Sequence, residues 1–285
     1  MDLVERVLAG DAAAASGGLL AVQMANNETG VIQPVGEIAK VARARGFKVF
    51  TDAVQAAGRI PLDVAALGVD YLSLSAHKIG GPKGVGALYV RDQGGDGPAL
   101  PPMMIGGGQE RRRRGGTENV AAIAGFGAAA EAARRDLAGV ARLAEMRDRM
   151  ERKMLRLTPG AVVVGAASPR LCNTTSIALD GTVADRLVIL FDLDGLAISA
   201  GSACSSGKVG ASHVLAAMGL APRLASGAIR ISIGHETSDA DIDACVAAWA
   251  RHAVRRDDAK SNSKSSAQTA ASAPRPAARA SAGDR

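Results

Sequence analysis

Three short apolar runs, each ending on polar residues with useful chemistry, constrain the fold of this chain more than anything else in it. Residues 19–24 run into Asn26-Asn27, residues 47–50 into Thr51-Asp52, and residues 69–74 into Ser75-Ala76-His77-Lys78. A fourth run covers residues 85–90. Between the first two, residues 34–45 put Val35, Ile38, Ala39 and Ala42 on one helical face, with Gly46 as a stop. Strand-length apolar runs alternating with helical stretches give a mainly parallel sheet with helices on its faces, an α/β fold. Ligands of open α/β sheets bind beyond the carboxyl ends of the strands. Asn27, Asp52 and Lys78 each fall at such an end, so the pattern predicts that they share one site.

The pattern changes farther along. Residues 118–157 are rich in Ala, Arg and Glu at helical spacing, broken by Gly125, Gly127 and Gly139, and stop at Thr158-Pro159-Gly160. This predicts a helix pair or one long bent helix. A smaller α+β unit follows, with strands expected at 162–164, 174–179, 197–199 and 229–233. Ser238-Asp239-Ala240-Asp241 has the form of a capping box opening the last helix. The expected organisation is a large α/β domain over 1–130, a connecting helix over 131–157, a small C-terminal α+β domain over 158–254, and a disordered tail over 255–285. That tail is Ser-, Ala-, Pro- and Arg-rich and has no apolar period from which to build a core.

Charge sharpens the division. The tail holds seven Lys or Arg and three Asp, and so supplies most of the chain's net charge of +6, leaving the body close to neutral. Aromatic residues make up only 2% of the chain. The run Arg111-Arg112-Arg113-Arg114 therefore has no interleaved rings to stack bases, which argues against a nucleic-acid partner. No apolar run has the length of a membrane span, and the N-terminus lacks the layout of a signal peptide, so a cytoplasmic location without a membrane partner is expected. The three cysteines, Cys172, Cys204 and Cys245, form no C-x-x-C pair, which argues against a disulfide framework. Cys172 and Cys245 sit in apolar strand and helix patterns and read as small core residues. Cys204 lies among small residues with no bulky anchor, a setting for a thiol that must move.

Lysine at one strand end and a carboxylate at the next is the pair that pyridoxal phosphate requires. The lysine joins the cofactor as a Schiff base, and the carboxylate keeps the pyridine nitrogen protonated so that the ring draws in electrons. Arg230 interrupts the apolar strand 228–233, and a strand-embedded cation needs an anion. A substrate α-carboxylate and a core acid would both serve.

Five motifs occur in one order: Asn26-Asn27-Glu28-Thr29-Gly30, Thr51-Asp52-Ala53-Val54-Gln55, Ser75-Ala76-His77-Lys78, Arg114-Gly115-Gly116-Thr117, and Gly201-Ser202-Ala203-Cys204-Ser205-Ser206-Gly207. Together they resemble the cysteine desulfurases of the NifS/IscS type, class V aminotransferase relatives among the fold-type I pyridoxal phosphate enzymes, over nearly the whole chain up to about Val254. The chain starts well inside that pattern. The resemblance therefore implies an N-terminally truncated large domain, without the turn that grips the cofactor phosphate and the histidine that stacks on the pyridine.

The roles implied by the resemblance follow residue by residue. Lys78 carries the cofactor and shuttles the substrate Cα proton, Asp52 pairs with the pyridine nitrogen, and Gln55 reaches the phenolic oxygen. Ser75 and His77 hold the phosphate, His77 being also a candidate proton acceptor for the nucleophile. Asn27 contacts cofactor or substrate, and Arg230 anchors the substrate carboxylate. Thr117 reaches the phosphate in the other subunit of a homodimer. Cys204 takes sulfur from L-cysteine as a persulfide, leaving L-alanine, and passes it to a sulfur acceptor or iron–sulfur scaffold protein. In some relatives the matching cysteine also ligates a shared [2Fe–2S] cluster. The competing expectations are another fold-type I enzyme, such as an aminotransferase or selenocysteine lyase, and a catalytically impaired fragment that serves only as a dimer or interaction partner.

Overall fold

The computed structural model describes residues 1–10, 18–91, 100–200 and 212–254. The expected tail and Cys204 lie outside the described residues. Two four-stranded sheets organise the rest.

The first sheet contains β1 (Leu19–Gln23), β2 (Lys48–Asp52), β3 (Tyr71–Ser75) and β4 (Gly86–Val90), in that spatial order. β1, β2 and β3 are parallel, and β4 runs antiparallel beside β3. Strand alternation sends Leu20, Val22, Val49, Leu72 and Leu74 to one face. There they meet α1 (Asp2–Gly10) and α2 (Val35–Ala44), whose buried residues Val35, Ile38, Ala39 and Ala42 are those expected from the helical spacing. The short α3 (Val64–Leu67) starts at Asp63, whose carboxylate caps Ala65 N and Ala66 N, and stops at left-handed Gly68. Buried Asp70 fixes the start of β2 by accepting from Val49 N at 2.9 Å. The opposite face carries Phe50, Asp52, Tyr71, Ser73 and Ser75; among the described residues it is the less covered one, with Leu19 and Leu88 59% and 50% exposed, although Tyr71 is buried.

A bent helix pair follows, α4 (Val120–Asp136) and α5 (Val140–Leu157), with a single 3₁₀ turn between them at Leu137–Gly139. The second sheet comprises β5 (Ala161–Val163), β6 (Thr174–Leu179), β7 (Ser199–Ala200) and β8 (Ile229–Ser232), in the order β5-β6-β8-β7 and antiparallel throughout. Around it lie α6 (Ala184–Leu193), α7 (His213–Ala217), α8 (Pro222–Ala225) and α9 (Asp239–Trp249). Met146, Met150 and Met154 of α5, Phe191 of α6, and Ile242 and Trp249 of α9 cover one face of the sheet. Leu215, Ala225, Ala228 and Val164 pack with Ala178 on the other. Every residue of β6 is accordingly buried. Cys172 and Cys245 are core residues, and burial pushes the Cys245 thiol up to about 12. The Ser238–Asp241 capping box is present with both of its reciprocal bonds.

One stretch stitches the two sheets together. Leu171 N donates to Gly30 O at 2.8 Å, and Ile32 N to Pro169 O at 2.9 Å. The neighbouring Arg170 forks onto the buried Glu151 carboxylate of α5 at 2.7 and 2.8 Å, and Thr175 Oγ1 donates to the same group at 2.8 Å. The Asn26–Gly30 turn at the end of β1 is thereby held against the second sheet.

Candidate active site

Parallel register sets Gln23, Asp52 and Ser73 abreast near the carboxyl edge of the first sheet. The Asp52 side chain lies on the open face. Its Oδ1 accepts from Val54 N at 2.9 Å and from Ser73 Oγ at 3.2 Å. Both bonds fall on one oxygen, so Oδ2 remains available to an N–H donor. Among the described residues Asp52 has no ion pair.

Lys78 sits three residues beyond β3, in a 3₁₀ turn, Ala76–Ile79, bounded by extended Ser75 and left-handed Gly80. Three contacts make this turn rigid. Gly81 N donates to Ala76 O at 2.9 Å. A side chain on Gly81 would stand 3.0–3.1 Å from Ala76 and Ala129, so α4 rests directly on the turn. Arg59 donates through Nη1 to Gln55 O at 2.8 Å and through Nη2 to Lys78 O at 3.2 Å. The Arg59 charge is buried against carbonyls rather than a carboxylate, and that burial lowers its pKa, with nearby Cys172 partly opposing. Ser75 Oγ and His77 Nδ1 share a hydrogen bond of 2.8 Å at the start of the same turn.

Arg230 reaches the site from β8. Its Nη1 donates to Asn27 O at 2.9 Å and its Nη2 to Ser199 Oγ at 3.2 Å, while Nε is buried with no partner among the described residues. A buried N–H without an acceptor carries a desolvation cost that an incoming anion would relieve. The Lys78 turn, the α4–α5 elbow and residues 172–173 and 233–235 line a cleft of about 600 Å³, with Lys78 and Arg59 on its wall but none of Asn27, Asp52, Gln55, Ser75, His77 or Arg230.

Asn27, Asp52, Ser75, His77 and Lys78 thus lie along one sheet edge, with Arg230 facing Asn27. Gln55 is half-buried in the turn after Asp52. Thr117 is exposed and makes none of these contacts; it follows a loop in which Glu110, Arg111 and Arg112 all take left-handed backbone conformations (φ 46°, 55° and 64°). Cys204, the expected nucleophile and cluster ligand, lies outside the described residues.

The sequence profile of the family described as Aminotransferase class-V matches residues 10–245. The chain belongs to that family. A cysteine desulfurase of Klebsiella pneumoniae is 42% identical over 229 residues, covering 80% of this chain and 57% of that protein. The X-ray structure of a NifS-like protein from Rickettsia africae ESF-5 superposes with a TM-score of 0.77 at 37% identity, covering 87% of this chain and 64% of that one. A structure of SspA in complex with cysteine superposes with a TM-score of 0.62 at 30% identity, covering 81% and 62%. The chain therefore has the α/β architecture of the NifS-like class V proteins and spans about 57% of the length of the Klebsiella relative.

Three features of this class V site were not read from the sequence. Ser73 supports Asp52, and strand alternation could have indicated it, since Ser73 shares a face with Ser75. Arg59 braces the Lys78 turn through carbonyls, for which no local sequence signal exists. Glu28, buried in the Asn26–Gly30 turn, accepts a hydrogen bond from Ser212 across 184 residues of chain, and only the folded structure could bring those two together.

Proposed function

We propose that this chain carries the strand-end part of a pyridoxal-phosphate-dependent cysteine desulfurase site, which takes sulfur from L-cysteine onto Cys204 and releases L-alanine. The observation that carries the reading is the pairing of Asp52 and Lys78 at adjacent parallel strand ends, with the Arg230 guanidinium bonded to Asn27 after the neighbouring strand and one of its N–H groups without a partner among the described residues.

The donor set fits the cofactor. Asp52 Oδ2 is free to accept from the pyridine N–H, Gln55 stands in the following turn for the phenolic oxygen, and the Ser75–His77 pair supplies phosphate donors. When bound, the cofactor supplies an electron sink for the bond-breaking at the substrate. Lys78 is the residue that joins it and moves the Cα proton, on a backbone fixed by Arg59 and α4. Arg230, with Asn27 beside it, is the anchor for the substrate carboxylate. The Cys204 thiolate then attacks the substrate sulfur, with His77 as the candidate acceptor of the thiol proton. An S–S bond forms on Cys204, the substrate C–S bond breaks, and its electron pair with a proton completes the alanine methyl, so no outside oxidant is consumed.

Two further parts of the reading have separate support. The loop before Thr117 exposes Met103 and Ile105 at 99% and 89%. Apolar side chains held this far out suit a contact with a second subunit, consistent with a homodimer in which Thr117 completes the partner's phosphate site. The named relatives support L-cysteine as substrate, and SspA was captured with cysteine. Transfer from Cys204 to a sulfur acceptor or iron–sulfur scaffold protein, a [2Fe–2S] cluster through Cys204, a cytoplasmic location, and a large α/β domain joined by a connecting helix to a small one complete the proposal. Among the described residues no helix is long and apolar enough to cross a membrane.

The test is a single turnover with L-cysteine and pyridoxal phosphate, followed by peptide mass analysis. The expected product is a persulfide on Cys204, lost in Cys204→Ser while cofactor binding is retained. Alanine formed at an undiminished rate by Cys204→Ser would refute the role of Cys204.

A further inference from the structure

Residues 201–211, which contain Cys204, lie outside the described residues, but their two roots do not. The leading root is Ser199–Ala200, strand β7, paired with β8 so that Ser199 stands opposite Arg230. Arg230 Nη2 donates to Ser199 Oγ, and Nη1 of the same guanidinium donates to Asn27 O. The trailing root is Ser212, buried, whose hydroxyl caps α7 by accepting from Leu215 N at 3.1 Å and donates its own proton to the Glu28 carboxylate. The leading root is thus linked to Asn27 through Arg230, and the trailing root directly to Glu28, the next residue of the same turn.

That turn is itself firmly set. Asn26 Oδ1 accepts from Glu28 N and Thr29 N, each at 2.9 Å, and from Thr29 Oγ1 at 3.1 Å. Gly30 closes it with left-handed backbone (φ 74°), and a side chain there would press on Thr174 at 3.0 Å. Glu28 is 5% exposed, and a buried carboxylate is costly unless it is hydrogen-bonded. No role in binding cofactor or substrate calls for it. Its hydrogen bond to a serine 184 positions away is the visible use of that burial.

We propose that Glu28 is a positioning residue: together with Asn27 it clamps both roots of the Cys204 segment to the end of β1, the strand next to the one that carries Asp52. Ser199 and Ser212, which flank the segment, are thereby tied to the turn that follows β1, although β7 and α7 belong with the second sheet. This rests on the desulfurase reading for its purpose, but its geometry can be tested without any activity.

The test is a spin-label distance measurement on the full chain, between native Cys204 and Lys40→Cys on the exposed side of α2. Cys172 and Cys245, each 6% exposed, stay unlabelled. Glu28→Ala and Ser212→Ala should each shift and broaden the distance distribution, and Glu28→Gln, which keeps an acceptor oxygen, should restore it. A control pair, Lys40→Cys with Arg186→Cys on α6 in a Cys204→Ser background, should not move with Glu28→Ala. An unchanged Cys204 distance in Glu28→Ala overturns the proposal. An equal shift in the control pair also overturns it, because Glu28 would then hold the two sheets together rather than the segment. The catalytic arm separates the two readings: if the parent chain forms no persulfide, the desulfurase reading fails and the distances still decide the clamp. If it does, Glu28→Ala should lower the rate of persulfide formation by roughly ten- to a hundredfold with KM for L-cysteine unchanged, whereas a loss confined to KM would contradict a positioning role.

Discussion

The two sheets differ in what covers them. The second is wrapped on both faces, by α5, α6 and α9 on one side and by α7 and α8 on the other, and its central strand β6 is buried along its whole length. Among the described residues the first is packed by helices on one face, and its other, more open face carries both the half-exposed leucines and the side chains of Asp52, Ser73 and Ser75. Stability and chemistry are thus unevenly distributed. The closed sheet supplies a fixed platform from which Arg230 projects, and the open sheet presents the groups that would meet a cofactor. The Glu151–Arg170 pair and the Asn26–Gly30 turn join the two.

The largest predicted effect is in the closed sheet. Trp249 is fully buried and its Nε1 donates to Thr158 Oγ1 at 2.9 Å. Trp249→Ala should cost about 3–5 kcal/mol in denaturant unfolding, and a loss below about 1 kcal/mol would break the comparison. At the seam, Glu151→Ala leaves Arg170 buried without its carboxylate, and should cost about 3 kcal/mol while increasing amide exchange in residues 26–32. Destabilisation without that local exchange would place the seam elsewhere.

A smaller effect depends on pH. The folded Cys245 thiol is raised to about 12 by burial, against an ordinary value of about 8.5. A raised value in the folded state means that this contribution is intact below the unfolded value and is lost as pH rises toward the folded one. The difference reaches about 1 kcal/mol one unit above the ordinary value. Cys245→Ala should flatten that part of the stability profile, and parallel alkaline profiles would show that the thiol is not closed off. The smallest effect is expected on the open face, where Leu88→Thr should change stability by under about 0.5 kcal/mol. A cost of several times that would mean the face is covered in solution.

Much of this arrangement was legible in the chain because strand ends and helix faces are local. The runs at 19–24, 47–50 and 69–74 became β1, β2 and β3 with boundaries shifted by a residue or two, and the helical face of Val35, Ile38, Ala39 and Ala42 was read directly. The Ser238 capping box was equally visible because it spans four residues. What escaped was long-range or backbone-mediated. Arg59 works through carbonyls, Glu28 meets Ser212 only after the second sheet has folded back, and the left-handed Glu110–Arg112 run contradicts the preference of those residue types. The openness of the first sheet escaped as well, because a strand run does not reveal whether one face or two will be covered.

The central claim is that the edge of the open sheet holds pyridoxal phosphate on Lys78, and the most direct test is the visible absorption spectrum of the chain with the cofactor added, before and after L-cysteine. The account predicts a band of lysine-bound cofactor that shifts with L-cysteine and is missing in Lys78→Ala. A chain that shows no such band, or the same band in Lys78→Ala, would contradict it.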